Sequence, residues 1–421
     1  MTKINPFAPN SPVHSGMFVG RVSELERLER VLIQTKAGNP TSFMITGERG
    51  IGKSSLLNYI KDVAEGMEGI AETMVSFLVI DTDVDRSTTQ LGLARKLELG
   101  LDRALGKSEP ARSFLRQSLG FLKRVEAAGV KLRSDEQKQS DEVLLEEFAY
   151  ALADVVNRVC GPGEADLFGA RFDGILVLID EADNASPYLN LGSFFKLLTE
   201  RLQRRGCSRI AVGLAGLPEL RTVLAESHRS SLRLFEELIL GRLSTAEVQQ
   251  VVDLGLSRAN ATNAQQTVIT AEAKNHLAFY SEGYPHFIQQ FAYSAFAVDS
   301  DDVIDEEDVR RGGFARRGAM ELIGDRYYRD DFYNKIQKES YRQVLRIMAA
   351  KVDGWVTKKE IKSLFKGPDT TLDNALFALR DRKIILAKEG ERGVYRLQHK
   401  GFAWWIRLYT ADPGAPEKTP P

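Results

Sequence analysis

Eight consecutive residues, Gly47 to Ser54, have the composition and spacing of a phosphate-binding loop. They read Gly-Glu-Arg-Gly-Ile-Gly-Lys-Ser and match the pattern GxxxxGK[ST]. In such a loop the glycines let backbone amides wrap the phosphates, the lysine amine reaches the β and γ phosphates, and the serine hydroxyl ligates Mg²⁺. The sequence therefore predicts a site for ATP and Mg²⁺, and we expect the nucleotide to contact Gly47, Glu48, Arg49, Gly50, Ile51, Gly52, Lys53, Ser54 and Ser55.

Two adjacent carboxylates, Asp180 and Glu181, end an apolar run far downstream. The aspartate stands where a second magnesium ligand beside Ser54 is needed, and the glutamate could polarise the attacking water as a general base. An acidic turn after a buried strand is the plainer interpretation, but the phosphate loop upstream argues against it. We therefore expect ATP hydrolysis, with Lys53 and Glu181 as catalytic residues and with Ser54 and Asp180 as metal ligands.

Five short apolar runs alternate with helical patterns and predict an α/β fold with a five-stranded parallel sheet. Such a sheet is covered on both faces and binds ligands at the carboxyl ends of its strands. A long stretch, 86–158, has helical periodicity that breaks near Ala128 and Gly129 and at the charged run Arg133 to Asp141, so we interpret it as an inserted helical lobe. The predicted strands are Ser42–Thr46, Met74–Ile80, Ile175–Ile179, Ile210–Leu214 and Leu238–Leu240.

The rest of the chain predicts a helical lid and a winged helix. The lid helices span Thr245–Ala259, Ala271–Glu282 and Phe287–Val298, and a basic connector around Gly312, Gly313 and Gly318 follows as a hinge. Beyond Asp331, three helices precede a hairpin, and the second of them opens with a capping box of Thr357 and Glu360. The predicted organisation is an N-terminal extension (1–16), an ATPase domain (17–243) with the insertion at about 86–158, a lid and connector (244–330), a winged helix (331–410) and a disordered, proline-containing tail (411–421).

Composition narrows the remaining classes of protein. Hydrophobic residues make up 43% and charged residues 27% of the 421 residues, which is ordinary for a globular protein. The only cysteines, Cys160 and Cys207, form no CxxC pair, and no apolar run is long enough for a membrane span, so we expect a cytoplasmic protein. Residues 331–410 hold 17 Lys and Arg against 9 Asp and Glu, a net +8. That excess indicates an anionic partner such as double-stranded DNA, or simply a solvated basic surface.

Together the motifs resemble the AAA+ and STAND branch of P-loop ATPases. The order of motifs, with Gly283-Tyr284-Pro285-His286 in the lid and a winged helix after it, is similar to the archaeal origin-recognition ATPases. The stretch from Gly213 to Leu220 is also similar to ATPases that regulate the choice of transposition target. The resemblance covers most of the chain from Met17 to Leu408, apart from the predicted insertion.

The resemblance implies further nucleotide contacts and an oligomer. It places around the adenine Phe18, Val19, Gly20, Arg21 and Pro285. It also implies an arginine that reaches the γ-phosphate of a neighbouring subunit, with Arg233 as first and Arg229 as second candidate, although both could equally be surface arginines. Hydrolysis would then depend on assembly of a homo-oligomer with ATP.

Two departures from the family pattern stand out. Ala215 or Gly216 replaces the polar sensor residue after the fourth strand, and His286 replaces a lid arginine. His286 could bond a phosphate oxygen or could be a packed structural residue. The departures predict slow hydrolysis and a nucleotide that acts as a switch.

The winged helix leaves two function hypotheses open. In the first, its third helix reads DNA while the wing and surrounding lysines contact phosphates, which makes the protein a loader, recruiter or regulator in replication, transposition or defence. In the second, the chain is a STAND-type signalling switch with a protein partner and no DNA. Trp404 and Trp405 could stack on bases or anchor the domain core. The polar residues on the third helix are Thr370, Thr371, Asp373, Asn374, Arg380 and Asp381. The basic residues around this helix are Lys358, Lys359, Lys362, Lys366, Lys388 and Arg392.

Overall fold

The structure is a computed structural model that describes residues 3–11, 18–67, 74–106, 108–128, 134–161, 168 and 171–410, with the side chains at 127–142 outside the description. Contacts divide the chain into two compact units, Pro12–Gly241 and Met1–Ser11 with Arg242–Pro421. The finer domain boundaries near 243 and 330 stay predictions. The predicted tail, 411–421, lies outside the described residues, as do residues 1–2 and 12–16 of the predicted extension.

The unit Pro12–Gly241 is built on a five-stranded sheet in the order β2-β3-β4-β1-β5, with every pairing parallel. β3 and β4 are buried along almost their whole length, as strands covered on both faces must be. The predicted α/β fold is therefore confirmed, and the residues that follow β1 and β3 share one edge of the sheet. The strands are β1 Ser42–Gly47, β2 Phe77–Asp83, β3 Gly174–Asp180, β4 Ile210–Gly216 and β5 Phe235–Leu240.

The two edge strands differ from the predicted spans. β2 begins three residues later than expected because Met74 is exposed, and it extends through Asp83 because that residue still pairs with Asp180. β5 begins earlier than Leu238 because its glutamates are neutralised by ion pairs, one of them between Arg27 Nε and Glu236 at 2.6 Å. Charged residues are tolerated in a strand whose outer side faces no further strand.

Eight helices flank this sheet in the described part of the chain. The charged run from Ser134 to Asp141 lies inside a single helix and does not interrupt it, so that prediction was wrong; its Glu, Gln and Lys residues are good helix formers. Leu97, Phe148 and Val177 share one buried core, so the predicted insertion packs directly on the sheet. The helices are Val22–Lys36, Lys53–Ala64, Gln90–Leu105, Glu109–Leu119, Phe121–Ala128, Ser134–Val159, Leu191–Arg204 and Leu220–Ser227.

In the second unit, the segment predicted as lid and connector, 244–330, contains five helices and a pair of two-residue strands. A hinge at the connector is wrong: Gly312 and Gly313 lie inside a helix, where a Cβ on Gly312 would come within 2.5 Å of the carbonyl oxygen of Ser294. The glycines serve close helix packing. The helices are Thr245–Thr262, Ala271–Ser281, Pro285–Val298, Glu306–Phe314 and Ala319–Tyr327, and β6 Val268–Ile269 pairs with β7 Val303–Ile304.

Residues 331–410 have the elements of a winged helix. The Thr357–Glu360 capping box is present, and the expected inner face of the third helix, including Leu372 and Leu376, is buried. Sequence patterns missed the two-residue strand β8 and the last helix. The helices are Glu339–Ala349, Lys358–Leu364, Asp369–Asp381 and Lys400–Tyr409, and an antiparallel sheet in the order β8-β10-β9 joins β8 Val356–Thr357, β9 Ile385–Ala387 and β10 Val394–Leu397.

Residues 3–11 pack on the lid helices. Phe7 is 2% exposed, and its ring lies so close to Gly255 that a Cβ there would approach it to 2.7 Å. The backbone N–H of Ala8 donates to Gln289 Oε1 at 3.0 Å. The described part of the predicted N-terminal extension is thus an integral layer of this unit.

Candidate functional site

The loop between β1 and the helix Lys53–Ala64 has the backbone of a phosphate cradle. Gly50 and Gly52 adopt φ values of +80° and +101°, which favour glycine. A Cβ on Gly47 would lie 2.8 Å from the side chain of Ile51, so that position also requires glycine. The helix N-terminus, whose first residues are Lys53 and Ser54, therefore points its free amides and its positive dipole end at the loop.

Lys53 is held across this loop. Its Nζ donates to the carbonyl oxygens of Gly47 at 2.9 Å and Glu48 at 3.0 Å. Burial lowers the pKa of Lys53 below its usual value, and the nearby carboxylates of Asp180 and Asp183 oppose that shift. A partly desolvated ammonium with few competing water molecules binds a phosphate more strongly than an exposed one does.

The fold brings the two sequence motifs together. Ser54 Oγ donates to Asp180 Oδ2 at 2.7 Å, although the residues are 126 positions apart. A hydroxyl and a carboxylate at this spacing are the oxygen ligands that Mg²⁺ uses in nucleotide sites, so the residues present fit the metal.

Glu181 lies beside this pair in a left-handed backbone conformation, with φ of 52°. Its side chain is exposed, and its Oε2 accepts a hydrogen bond from Asn184 Nδ2 at 3.2 Å. Its backbone N–H donates to Asp180 Oδ1 at 2.8 Å. A non-glycine residue in this conformation is held by its surroundings and is often found at functional sites.

The segment predicted around the adenine lies next to the same loop. The Phe18 ring is 5.9 Å from the ring of Tyr59, which belongs to the helix that follows the loop. Gly20 and Arg21 have positive φ, and Arg21 pairs with Glu24 at 3.6 Å and donates to the carbonyl oxygen of Gly241. Val19 lies half-buried between Phe18 and Gly20, and Ser55 lies on the first turn of the helix after the loop. Their nucleotide contacts stay predictions.

Both candidate arginines lie at the opposite end of the sheet from the phosphate loop. They belong to the 3-10 turn Arg229–Leu234 that leads into β5, and β5 pairs with β1 from Ser42 to Gly47. Six residues of strand span about 20 Å, more than an arginine side chain can bridge. Neither arginine can therefore reach the phosphate loop of its own unit. Arg233 lines a cavity of about 300 Å³ with Ser42, and Arg229 lines an open cleft of about 520 Å³ with His228.

The lid residues Pro285 and His286 belong to the second compact unit, where they begin the helix Pro285–Val298. Arg326 Nη1 lies 2.9 Å from His286 Nε2, and the same guanidinium also bonds the side chain of Asn10. The His286 ring packs 5.2 Å from the ring of Tyr327. The packed interpretation of His286 therefore has direct support in this unit, and a contact with nucleotide stays a prediction.

The basic residues of 331–410 divide into paired and unpaired groups. Lys362 bonds Asp369 at 2.6 Å, and Lys358 bonds Asp373, so these lysines are partly neutralised. Lys359, Lys366 and Arg392 are exposed and form no ion pair with any described residue. The third helix exposes Thr370, Asn374 and Arg380 but also Phe377, Asp373 and Asp381; Thr371 is half-buried and Lys388 pairs with Glu391.

Two residues of the site were missed by sequence reasoning, Asp183 and Asn184. Both lie in the 3-10 turn after β3, one with its carboxylate on the end of β4 and the other with its amide on Glu181. The signal that could have found them is the spacing Asp-Glu-Ala-Asp-Asn itself, which puts a second aspartate and an amide within one turn of the candidate base.

None of the helices in the described part of residues 3–410 combines the length and apolar character that a membrane crossing requires.

Comparisons with known proteins agree with this architecture. No curated protein sequence matches the chain. A Walker-type ATPase of Pyrococcus abyssi shares the fold at 15% identity, covering 93% of this chain and 96% of that one with a TM-score of 0.52. The ORC2 protein of Aeropyrum pernix, solved in ADPNP–ADP complexes, shares it at 17% identity over 90% of each chain with a TM-score of 0.53.

The resemblance to AAA+ ATPases of the origin-recognition type is thereby confirmed at the level of the fold. The family described as the AAA ATPase domain matches residues 17–279. That match spans more than half of the 421 residues and contains the phosphate loop, Asp180 and Glu181. The chain therefore belongs to the AAA ATPase domain family.

Proposed function

We propose that the protein hydrolyses ATP and that nucleotide state controls its assembly and its binding to double-stranded DNA. The observation that carries the first part is the 2.7 Å hydrogen bond between Ser54 and Asp180, which joins the phosphate loop to the acidic end of β3. A nucleotide with its phosphates in the loop would place the γ-phosphate between Lys53 and Glu181.

Each residue has a stated role in this proposal. The loop amides and the Lys53 ammonium bind and orient the β and γ phosphates. Ser54 and Asp180 would hold Mg²⁺, which neutralises phosphate charge when it is bound. Glu181 accepts the proton of the attacking water as general base. Its exposed carboxylate is accessible to that water, and the bond from Asn184 orients it.

The test of hydrolysis compares wild type with Glu181→Gln. The variant keeps a side chain of the same size and should bind ATP with unchanged affinity while its turnover falls on the order of 100-fold or more. Glu65→Gln, at an exposed position after the helix Lys53–Ala64, is the matched control and should turn over as wild type does. Equal turnover by wild type and Glu181→Gln would refute the assignment of the base.

Assembly is the second part of the proposal. Because Arg233 and Arg229 cannot reach the phosphate loop of their own unit, either one could act only on the nucleotide of another copy. Arg233→Ala and Glu181→Gln should each be inactive alone, since removing an arginine supplied in trans costs on the order of 1000-fold. A mixture should regain turnover because the intact site of the first variant meets the intact arginine of the second. A mixture as inactive as its components would exclude Arg233, and the same test applies to Arg229.

DNA binding rests on the exposed basic residues of the segment 331–410. Lys359, Lys366 and Arg392 form no ion pair with any described residue, so they can bind phosphates without breaking one. We would measure binding of Glu181→Gln to an arbitrary duplex with ATP, with ADP and without nucleotide over a salt series. Replacing Lys359, Lys366 and Arg392 together by alanine should reduce the magnitude of the slope of log affinity against log salt concentration by about 2 to 3, since each phosphate contact contributes about 0.9. An unchanged slope would remove these residues from the interface.

A signalling switch with a protein partner is the second candidate. The observation that favours it is apolar exposure beside the basic residues: Leu364 is 62% and Phe377 is 63% exposed. Aromatic residues such as Phe377 are enriched at protein interfaces, and neither of these apolar side chains can hydrogen-bond a phosphate backbone. If Glu181→Gln binds no duplex in any nucleotide state, the DNA proposal fails and this candidate takes its place.

A further inference from the structure

The turn after β3 carries a third carboxylate, Asp183, to which the proposed hydrolysis assigns no role. Its Oδ1 accepts a hydrogen bond of 2.8 Å from the backbone N–H of Leu217, the first residue after β4. The turn Ala182–Asn184 begins immediately after Glu181. Asp183 therefore ties the turn that carries the candidate base to the end of the neighbouring strand.

The space that Asp183 occupies exists because the end of β4 has no large side chain. A Cβ on Gly216 would lie 2.6 Å from Asp183 Oδ1 and 3.0 Å from the backbone nitrogen of Asp183. The first distance is shorter than real contacts of this kind, so a side chain at Gly216 would displace the carboxylate. Ala215 is fully buried and offers no polar group.

Glu181 itself depends on a rigid turn. Its φ of 52° is uncommon for a residue with a side chain and persists only where the surroundings fix the backbone. Asp180 fixes one side of Glu181 by accepting its backbone N–H, and Asn184 bonds its carboxylate. The bond from Leu217 to Asp183 fixes the other side of the same turn.

We propose that Asp183 is a positioning residue for ATP hydrolysis, which holds the Glu181 turn on the end of β4, where Gly216 leaves room for its carboxylate. The inference rests on the proposed function, because a turn needs positioning only if Glu181 acts as the base. Asp183 acts through the backbone of the turn and through the hydrogen bond, not through contact with ATP.

Three variants separate the hydrogen bond from the charge. Asp183→Ala removes the acceptor, Gly216→Ala displaces it, and Asp183→Asn keeps an Oδ1 acceptor without the charge. The first two should lower kcat on the order of 100-fold, as small misplacements of catalytic groups do, with nucleotide affinity little changed. Asp183→Asn should retain most of the turnover. The double variant Asp183→Ala/Gly216→Ala should be no worse than either single variant, because both remove one contact.

A matched control lies at the other end of the sheet. Asp173 Oδ2 also accepts a backbone N–H, from Ser76 at 3.0 Å, where β2 and β3 begin, and it pairs with Lys36 Nζ at 3.0 Å. Asp173→Ala should therefore leave kcat unchanged although it removes a similar contact. Circular dichroism of each variant checks that it folds, and the two independent routes, Asp183→Ala and Gly216→Ala, keep the test open if one of them does not.

Amide hydrogen exchange provides a readout that does not need turnover. The peptide containing Leu217 should exchange slowly in wild type and Asp183→Asn, and faster in Asp183→Ala and Gly216→Ala. Wild-type turnover by Asp183→Ala, or an Asp183→Asn variant as slow as Asp183→Ala, would overturn the positioning role. Nucleotide binding without any turnover by wild type would instead refute the proposed hydrolysis, and the exchange data would still decide whether the bond fixes the turn.

Discussion

Trp404 and Trp405 could stack on DNA bases or anchor the core of their domain, and replacing Trp405 by alanine distinguishes the two, because its effect on stability can be calculated from the structure. The side chain is 1% exposed, and its ring packs 5.7 Å from Phe332 and against the backbone of Gly324, where a Cβ would approach to 1.9 Å. A buried aromatic removes about 150 to 250 Å² from water, which at about 25 cal/mol per Å² gives about 4 to 6 kcal/mol. Measured replacements of large core aromatics by alanine cost about 3 to 5 kcal/mol, so we expect about 4 kcal/mol.

Hydrogen exchange in the helix Ala319–Tyr327 is the suitable assay because a chain of two compact units need not unfold in one step. A loss of about 4 kcal/mol should accelerate the slowest amides of this helix about a thousandfold, at 1.4 kcal/mol for each factor of ten. Trp404→Ala is the control: Trp404 is half-buried and should cost roughly half as much or less. Unchanged exchange in Trp405→Ala together with weakened DNA binding would refute the packing argument and restore the stacking interpretation.

Three further predictions follow from the same structure. ATP at 100 times its Kd should stabilise wild type by about 2.7 kcal/mol, and Lys53→Ala should lose this stabilisation, whereas Lys61→Ala on the same helix should keep it. Thermal unfolding with and without ATP measures both variants. A rise in Tm with ATP in Lys53→Ala would contradict the assignment of Lys53 to the nucleotide site. Burial raises the pKa of Cys160 to about 11 and of Cys207 to about 12, so neither thiol should react with a disulfide reagent at pH 8 until the protein is unfolded. Rapid labelling of either thiol in the folded protein would disprove its burial. Burial also raises the pKa of Glu282 above its usual value of 4.5, so the native state binds the proton more tightly than the unfolded state does. The free energy of unfolding should therefore fall as the pH rises from the unfolded-state pKa through the native-state pKa. Glu282→Gln should flatten this fall, and a pH profile identical to that of wild type would exclude the shift.

The parts of the fold that sequence reasoning predicted correctly are those fixed by neighbours along the chain. The phosphate loop needs only its own glycines and the strand and helix on either side of it. The capping box at Thr357 and Glu360 is likewise complete within four residues, and the structure has both of its reciprocal hydrogen bonds. Buried strands such as β3 stand out because a short, uninterrupted apolar run is typical of a parallel strand covered on both faces.

The parts that were missed depend on residues far apart in the chain. Gly312 and Gly313 look like a hinge from composition, but Gly312 packs against the backbone of Ser294 and Gly313 against the ring of Phe291. Phe7 belongs to the predicted N-terminal extension, and it is buried because its ring packs against Gly255, where a side chain would leave no room for it. β8 has only two residues, and its existence depends on its pairing with β10. A sequence pattern indicates which local structure a segment can form. The structure of these segments also depends on the residues that they pack against or pair with elsewhere in the chain.

The end of β4 joins both kinds of information. From the sequence, Ala215 and Gly216 lack the polar side chain expected there, which by itself predicts slow hydrolysis. In the structure, the small residue is the condition for the approach of Asp183, whose Oδ1 lies only 2.6 Å from the position that a Cβ on Gly216 would take. The absence of a side chain at Gly216 and the position of the Asp183 carboxylate are therefore one arrangement, which the sequence of β4 alone does not indicate. The turnover of wild type tests the prediction of slow hydrolysis, and a lower turnover by Gly216→Ala would show that this position requires the small residue.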